Sequence, residues 1–284
     1  MSNTLATPSR FTEEELQWRQ QRTELYVHLY EGGKQGLKRD AVLATREHFT
    51  PGATFTPKSY VFPSDDDCVT LICAEIPPQA AKVCHGVGEE LVGLLPKLDD
   101  GNAVGYVNEL DLMHITLFHT SHPDELAPHA KSRRSEDITQ LTSMLKRFSA
   151  FRVKPVRVLL ASSGAIIMLF ECLNDDDDES KATSASYVNA NQEFSVDHLR
   201  KVAKETFEHG PKQGGTRTIV HSTLGRVLDP DVSQEALKSV YAQCDAITKR
   251  FADQPYAFRI EKIWYVEETH HFSPQGKKTV IALQ

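Results

Sequence analysis

No apolar run in this 284-residue chain is long enough to span a membrane, and the opening MSNTLATPSRF lacks the apolar core of a secretory signal. Cysteine is scarce: there are five, an odd number with no CxxC spacing. That excludes a disulfide framework and predicts free thiols in a reducing compartment, cytoplasmic by default, with nucleus or organelle left open. Basic residues are not in excess either. Lys+Arg number 32 against 39 Asp+Glu, a net charge of -7. A surface that wraps along nucleic acid draws its affinity from neutralised phosphates, so this balance argues against one and leaves room for a single phosphate or a strand end. What is present is ordinary globular material, 40% hydrophobic, enough for one large or two small domains.

Residues 1–67 read as an N-terminal extension. FTEEELQW is a helix start, with Thr12 as cap, Glu15 completing a capping box and Phe11 stapling onto Leu16. The helix is expected over about 12–31, stopped by Gly32 and Gly33, before a turn-rich segment containing Pro51, Pro57 and Pro63. Nothing in this segment announces chemistry.

From Val69 the pattern becomes regular and repeats. VTLICAEI is a strand, and PPQAAKVCHGVGEELVGLLPKL carries apolar residues at helical spacing. LMHITLF is a strand, SEDITQLTSMLKRF a helix capped by Ser135, and KPVRVLLASSGAIIMLFECL two strands around a Ser-Ser-Gly turn. The order then recurs through helix SVDHLRKVAKETFE, strand RTIVHSTLG and helix SQEALKSVYAQCDAITKRF. It closes with strands YAFRIEKIWYVEE and KKTVIAL. The stretch at 174–192, NDDDDESKATSASYVNANQ, reads as a flexible acidic surface loop.

Each half carries His-x-Thr-Leu on its middle strand: HITL at 114–117 and HSTL at 221–224. Alternation along a strand sends His114 and Thr116 to one side and Leu117 to the other, and likewise His221, Thr223 and Leu224. If the halves pair, two imidazoles and two hydroxyls face one cleft. A neutral histidine there takes a proton, a protonated one gives a proton, and the hydroxyls donate to non-bridging phosphate oxygens. No metal is needed for that chemistry. The other histidines have blander readings. His119, His122 and His129 lie at the strand end and the loop beyond, with zinc ligation as the competing use. His270 and His271 sit in a hairpin turn. Trp264 or Tyr265 faces either cleft or core, and Arg217 either cleft or surface.

Two HxTL motifs on duplicated strand–helix–strand–helix–strand units resemble the two-histidine (2H) phosphoesterase superfamily. This is the LigT-like group of RNA 2′,3′-cyclic phosphodiesterases and 2′-5′ RNA ligases. The resemblance covers residues 68–284. It implies a bilobal α+β fold with antiparallel sheets flanking a central cleft. The implied activity is a monomeric, cofactor-free hydrolase with His114 and His221 catalytic and Thr116 and Thr223 on the phosphate. HSTLGR also matches the HxTLGR form of bacterial members, which makes Arg226 a phosphate or nucleotide contact. Where those relatives often have an aromatic residue five positions after the first histidine, this chain has His119, with Phe118 just before it. The implied substrate is a 2′,3′-cyclic phosphate on an RNA 3′ end or a small nucleotide. Two alternatives stay open: a non-catalytic nucleotide or RNA-end binding module of the same fold, and a 3′ exonuclease acting on small nuclear RNA.

Overall fold

The computed structural model describes residues 11–97, 101–174, 187–209 and 218–284. Most of the acidic stretch at 174–192, and Arg217, lie outside those residues. The chain opens with helix α1 (Glu13–Lys34), α2 (Arg39–Arg46) and two-residue strands β1 (Phe49–Thr50) and β2 (Thr56–Pro57). Then follow β3 (Val69–Glu75), α3 (Pro78–Val92), β4 (Gly105–Val107), β5 (His114–Ser121), α4 (Ala130–Leu145), β6 (Phe151–Leu160) and β7 (Ala165–Leu173). Last come α5 (Ser195–Thr206), β8 (His221–Val227), α6 (Gln234–Asp253), β9 (Phe258–Ile260), β10 (Lys262–His270) and β11 (Ser273–Ala282).

The architecture is α+β with antiparallel sheets. One sheet runs β11-β10-β3-β5 and the other β4-β8-β7-β6-β9. The two sequence halves exchange elements. β6 leaves the first half to pair with β7, while β10 leaves the second half to pair with β3 and carries β11 on its other edge. Helices cross over too: α3 packs on β8, β4 and α6, whereas α5 packs on β5 and α4. One apolar cluster therefore joins Ile72, Ile115 and Tyr265 of the first sheet to Met168, Phe170 and Leu224 of the second, with Leu141, Leu199 and Ile247 from the helices. Each such side chain contributes roughly 1.5–3 kcal/mol on burial. The two lobes consequently share one core instead of folding as beads.

Each sheet's other face is a separate surface. On the first sheet, Leu71, Cys73, Trp264 and Val266 form a small cluster of their own. Register places Trp264 opposite Cys73 and Cys73 opposite Thr116, so Trp264 shares the face of the first motif, while Tyr265 is fully buried in the shared core. On the second sheet, α1 covers Leu159, Ile167 and Leu169 with Leu25, Tyr26 and Leu29. The capping box forms, with Thr12 Oγ1 accepting from Glu15 N at 3.2 Å and Glu15 Oε2 accepting from Thr12 N at 2.9 Å. Leu16 is exposed, and Phe11 meets Phe194 edge-on at 5.8 Å. α1 also runs through Gly33, where a side chain would collide with the Leu160 carbonyl. The glycine is there for close approach to β6, not as a stop.

Two other expectations are corrected. α4 begins at Ala130, ahead of Ser135, because Asp66 caps it from a distant loop. Its carboxylate accepts from Ser132 N at 3.0 Å and from Ser132 Oγ at 2.7 Å. The segment YAFRIEKIWYVEE is two strands, not one. The chain breaks at exposed Glu261, and β9 joins one sheet while β10 joins the other.

Candidate active site

β5 is the edge strand of the first sheet and β8 an inner strand of the second, and the two pack side by side where the sheets meet. His114 and Thr116 on β5, and His221 and Thr223 on β8, are half-buried, while Leu117 and Leu224 are buried in the core. Alternation then fails at the same point in both motifs. Opposite β3, register steps from Thr116 to Phe118, and opposite β7 from Thr223 to Gly225, so each motif leucine sits in a β-bulge. A bulge adds one residue and reverses which later positions face a given side. The residue five positions after each histidine is thereby turned onto the histidine's own face. These residues are His119 and Arg226. Each motif strand thus offers an ordered trio: His114, Thr116 and His119 from one, His221, Thr223 and Arg226 from the other.

The His114 ring is fixed. Its Nδ1 lies 2.8 Å from the Leu112 carbonyl, which only accepts, so Nδ1 carries the proton and Nε2 is left as an acceptor. Thr116 Oγ1 stands 3.2 Å from that Nε2. Burial pushes the imidazole pKa down to about 4, against the pull of the Leu112 carbonyl and with help from nearby Lys278. His114 is therefore neutral at physiological pH. On β8, Asn108 Nδ2 donates to the Thr223 carbonyl at 2.7 Å, and Asn108 N donates to the Leu224 carbonyl at 2.9 Å, which holds the bulge.

Arg226 is the electrostatic anomaly. Among the described residues its guanidinium has no ion pair, and its Nε has no hydrogen-bond partner. It lies 4.4 Å over the ring of Phe272, and burial lowers its pKa to about 10. Phe272 itself, at φ 54°, stacks on Phe49 of the N-terminal segment at 5.9 Å. Across the first sheet, Glu268 is 7% exposed and stands 4.0 Å from His119 Nε2, with its carboxyl pushed up to about 8 by burial.

The remaining histidines do not converge on His114. His129 Nδ1 faces Asp66 at 2.9 Å, and His122 Nδ1 accepts from Asp124 N at 3.1 Å. Among the described residues no three His, Cys, Asp or Glu gather as a metal-ligand set. His271 lies in its turn half-buried, with its ring tilted against those of His48 at 4.1 Å and Tyr60 at 4.0 Å. Arg22, Asn108, Asp197, Arg200 and Glu268 belong to no motif in the sequence. A charged residue inside the apolar stripe Trp18, Arg22, Tyr26 of α1 was the available signal for the first.

No family model matches the chain, and no curated protein matches it. Solved structures do. The conserved protein of unknown function ATU0111 from Agrobacterium tumefaciens overlaps 76% of this chain and 85% of its own at 12% identity and a TM-score of 0.49. TT0787 of Thermus thermophilus overlaps 76% and 95% at 10% identity and a TM-score of 0.44. LigT of E. coli, complexed with 3′-AMP, overlaps 77% and 96% at 12% identity and a TM-score of 0.38. This chain is similar to them, and the functional reading rests on its own residues. No described helix is long and apolar enough to cross a membrane, and all five cysteines are free and buried.

Proposed function

We propose that the chain is a phosphodiesterase that opens a 2′,3′-cyclic phosphate on an RNA 3′ end or a small nucleotide. The observation that carries this reading is the half-buried Arg226 guanidinium, without an ion pair among the described residues, on the same strand face as His221 and Thr223. Burying a cation without a counter-charge is costly, and a bound phosphate supplies the missing charge.

The division of labour follows from the His114 ring. Its neutral Nε2 is the general base, which makes His221 the general acid. The Thr116 hydroxyl donates to Nε2. When substrate enters, that hydroxyl turns to a non-bridging phosphate oxygen and frees Nε2 for water. His114 takes the water proton as its oxygen bonds to phosphorus. The P–O bond to one ribose oxygen breaks, and His221 protonates that oxygen. Thr223 and Arg226 hold the charge that builds on the non-bridging oxygens. These groups supply base, acid and donors without a metal, so turnover is expected in EDTA. The test is a panel of 2′,3′-cyclic mononucleotides and cyclic-phosphate oligonucleotides incubated with chelator-treated protein. A ring-opened monoester is the expected product. Phosphate binding with no turnover anywhere in the panel would favour the binding-module reading.

A further inference from the structure

The two histidines stand on strands of different sheets that are not paired with each other. Sheet hydrogen bonding therefore does not set their separation. One side chain does reach both strands. Arg200 of α5, 7% exposed, donates from Nε to the Leu117 carbonyl at 2.8 Å and from Nη2 to the Thr116 carbonyl at 3.0 Å. From Nη1 it donates to the Ile219 carbonyl at 2.8 Å, two residues ahead of His221. Its planar fork grips both carbonyls that flank the β5 bulge and the entry to β8 at once.

A second layer holds the β8 side. Asp197, three residues earlier on α5, is fully buried and pairs with Arg22 of α1. Arg22 Nε donates to the Thr218 carbonyl at 3.0 Å. Tyr26 OH accepts from Val220 N at 3.1 Å and donates to the Phe170 carbonyl at 2.8 Å. Residues 218, 219 and 220, the three that lead into His221, are each held by a side chain from α1 or α5.

We propose that Arg200 is a positioning residue that sets the spacing of His114 and His221, and that α1, through Arg22 and Tyr26, belongs to the same device. The proposal rests on reading the two histidines as an acid–base pair. It gives the N-terminal helix a part in turnover. Acid–base transfer across one phosphate tolerates little displacement, and a shift of about 1 Å costs roughly 100-fold in rate.

The test uses the full chain. Arg200→Lys keeps a charge beside Asp197, but one ammonium cannot reproduce the three-way planar fork. Expected on a 2′,3′-cyclic mononucleotide is a kcat fall of roughly 10- to 100-fold with KM changed less than about threefold. The His114 imidazole, followed by NMR, should titrate higher than in wild type as water enters beside β5. An Arg200→Lys protein that melts lower yet keeps wild-type kcat and His114 titration would reduce Arg200 to an anchor for α5 and overturn the proposal. Tyr26→Phe removes one hydroxyl and serves if Arg200→Lys does not fold. It should lower kcat severalfold and leave the His114 titration alone, and an unchanged kcat would count against the proposal. If the wild type turns over nothing, the functional reading fails. The His114 titration in Arg200→Lys then decides the positioning role by itself.

Discussion

Arg226→Met should make the ligand-free protein more stable while removing its response to phosphate. The magnitude follows from the site. Burial holds the guanidinium pKa at about 10, a displacement worth about 3 kcal/mol at ~1.4 kcal/mol per pKa unit from the reference value. The folded pKa lies below the unfolded one, so this destabilisation is present in full at pH values below 10, shrinks as pH rises above that, and vanishes only beyond the unfolded value. The Phe272 ring 4.4 Å away returns roughly 1 kcal/mol as a cation–π contact. Methionine has a stem of similar length and no charge, which leaves a net gain of about 2 kcal/mol, or roughly 4–8 °C in Tm for a chain of this size. The assay is thermal unfolding at neutral pH with and without inorganic phosphate. Wild type should gain about 1.4 kcal/mol when phosphate reaches tenfold its Kd, and the variant nothing. If Arg226→Met melts several degrees below wild type without phosphate, the guanidinium is a structural group and the reasoning is refuted.

Other expectations follow from the same side chains. The His114 pKa of about 4 puts the acid limb of kcat/KM well below the ordinary histidine value, since activity falls as the base is protonated; an acid limb at 6.5 or above contradicts the assignment of His114 as base. Thr116→Val should lower kcat about 10-fold or more through loss of a phosphate donor without moving that limb, measured by pH-dependent kinetics. Glu268, with a folded pKa of about 8, contributes most below its unfolded value and loses stability as pH rises toward 8. Denaturant melts should therefore show Glu268→Gln gaining on wild type by at most about 3 kcal/mol between pH 5.5 and 7.5. Proximity of His119 reduces that gain, and parallel pH dependences would show that the carboxyl is ionised throughout.

The strand and helix periods, the Thr12–Glu15 capping box and the repeated HxTL motifs were legible because each is local. What was not legible depends on partners far away in the chain. The bulges at Leu117 and Leu224 are defined only by register against β3 and β7, and they alone bring His119 and Arg226 onto the histidine face. The early start of α4 depends on Asp66, 64 residues before Ala130. The split at Glu261 depends on which sheet offers a free edge, and alternation within YAFRIEKIWYVEE carries no such signal. Arg200 looks on sequence like a solvated residue of an amphipathic helix. Only the convergence of two carbonyls from β5 and one from the segment leading into β8 reveals its place.

The joint action of His114 and His221 on one phosphodiester carries the proposed function. It is tested most directly by turnover of a 2′,3′-cyclic mononucleotide in EDTA by wild type, His114→Ala and His221→Ala. Loss of a general acid or base predicts a fall of roughly 100-fold or more in each variant, with folding retained and the acid limb missing from His114→Ala. Near-normal turnover in either single variant would contradict the account.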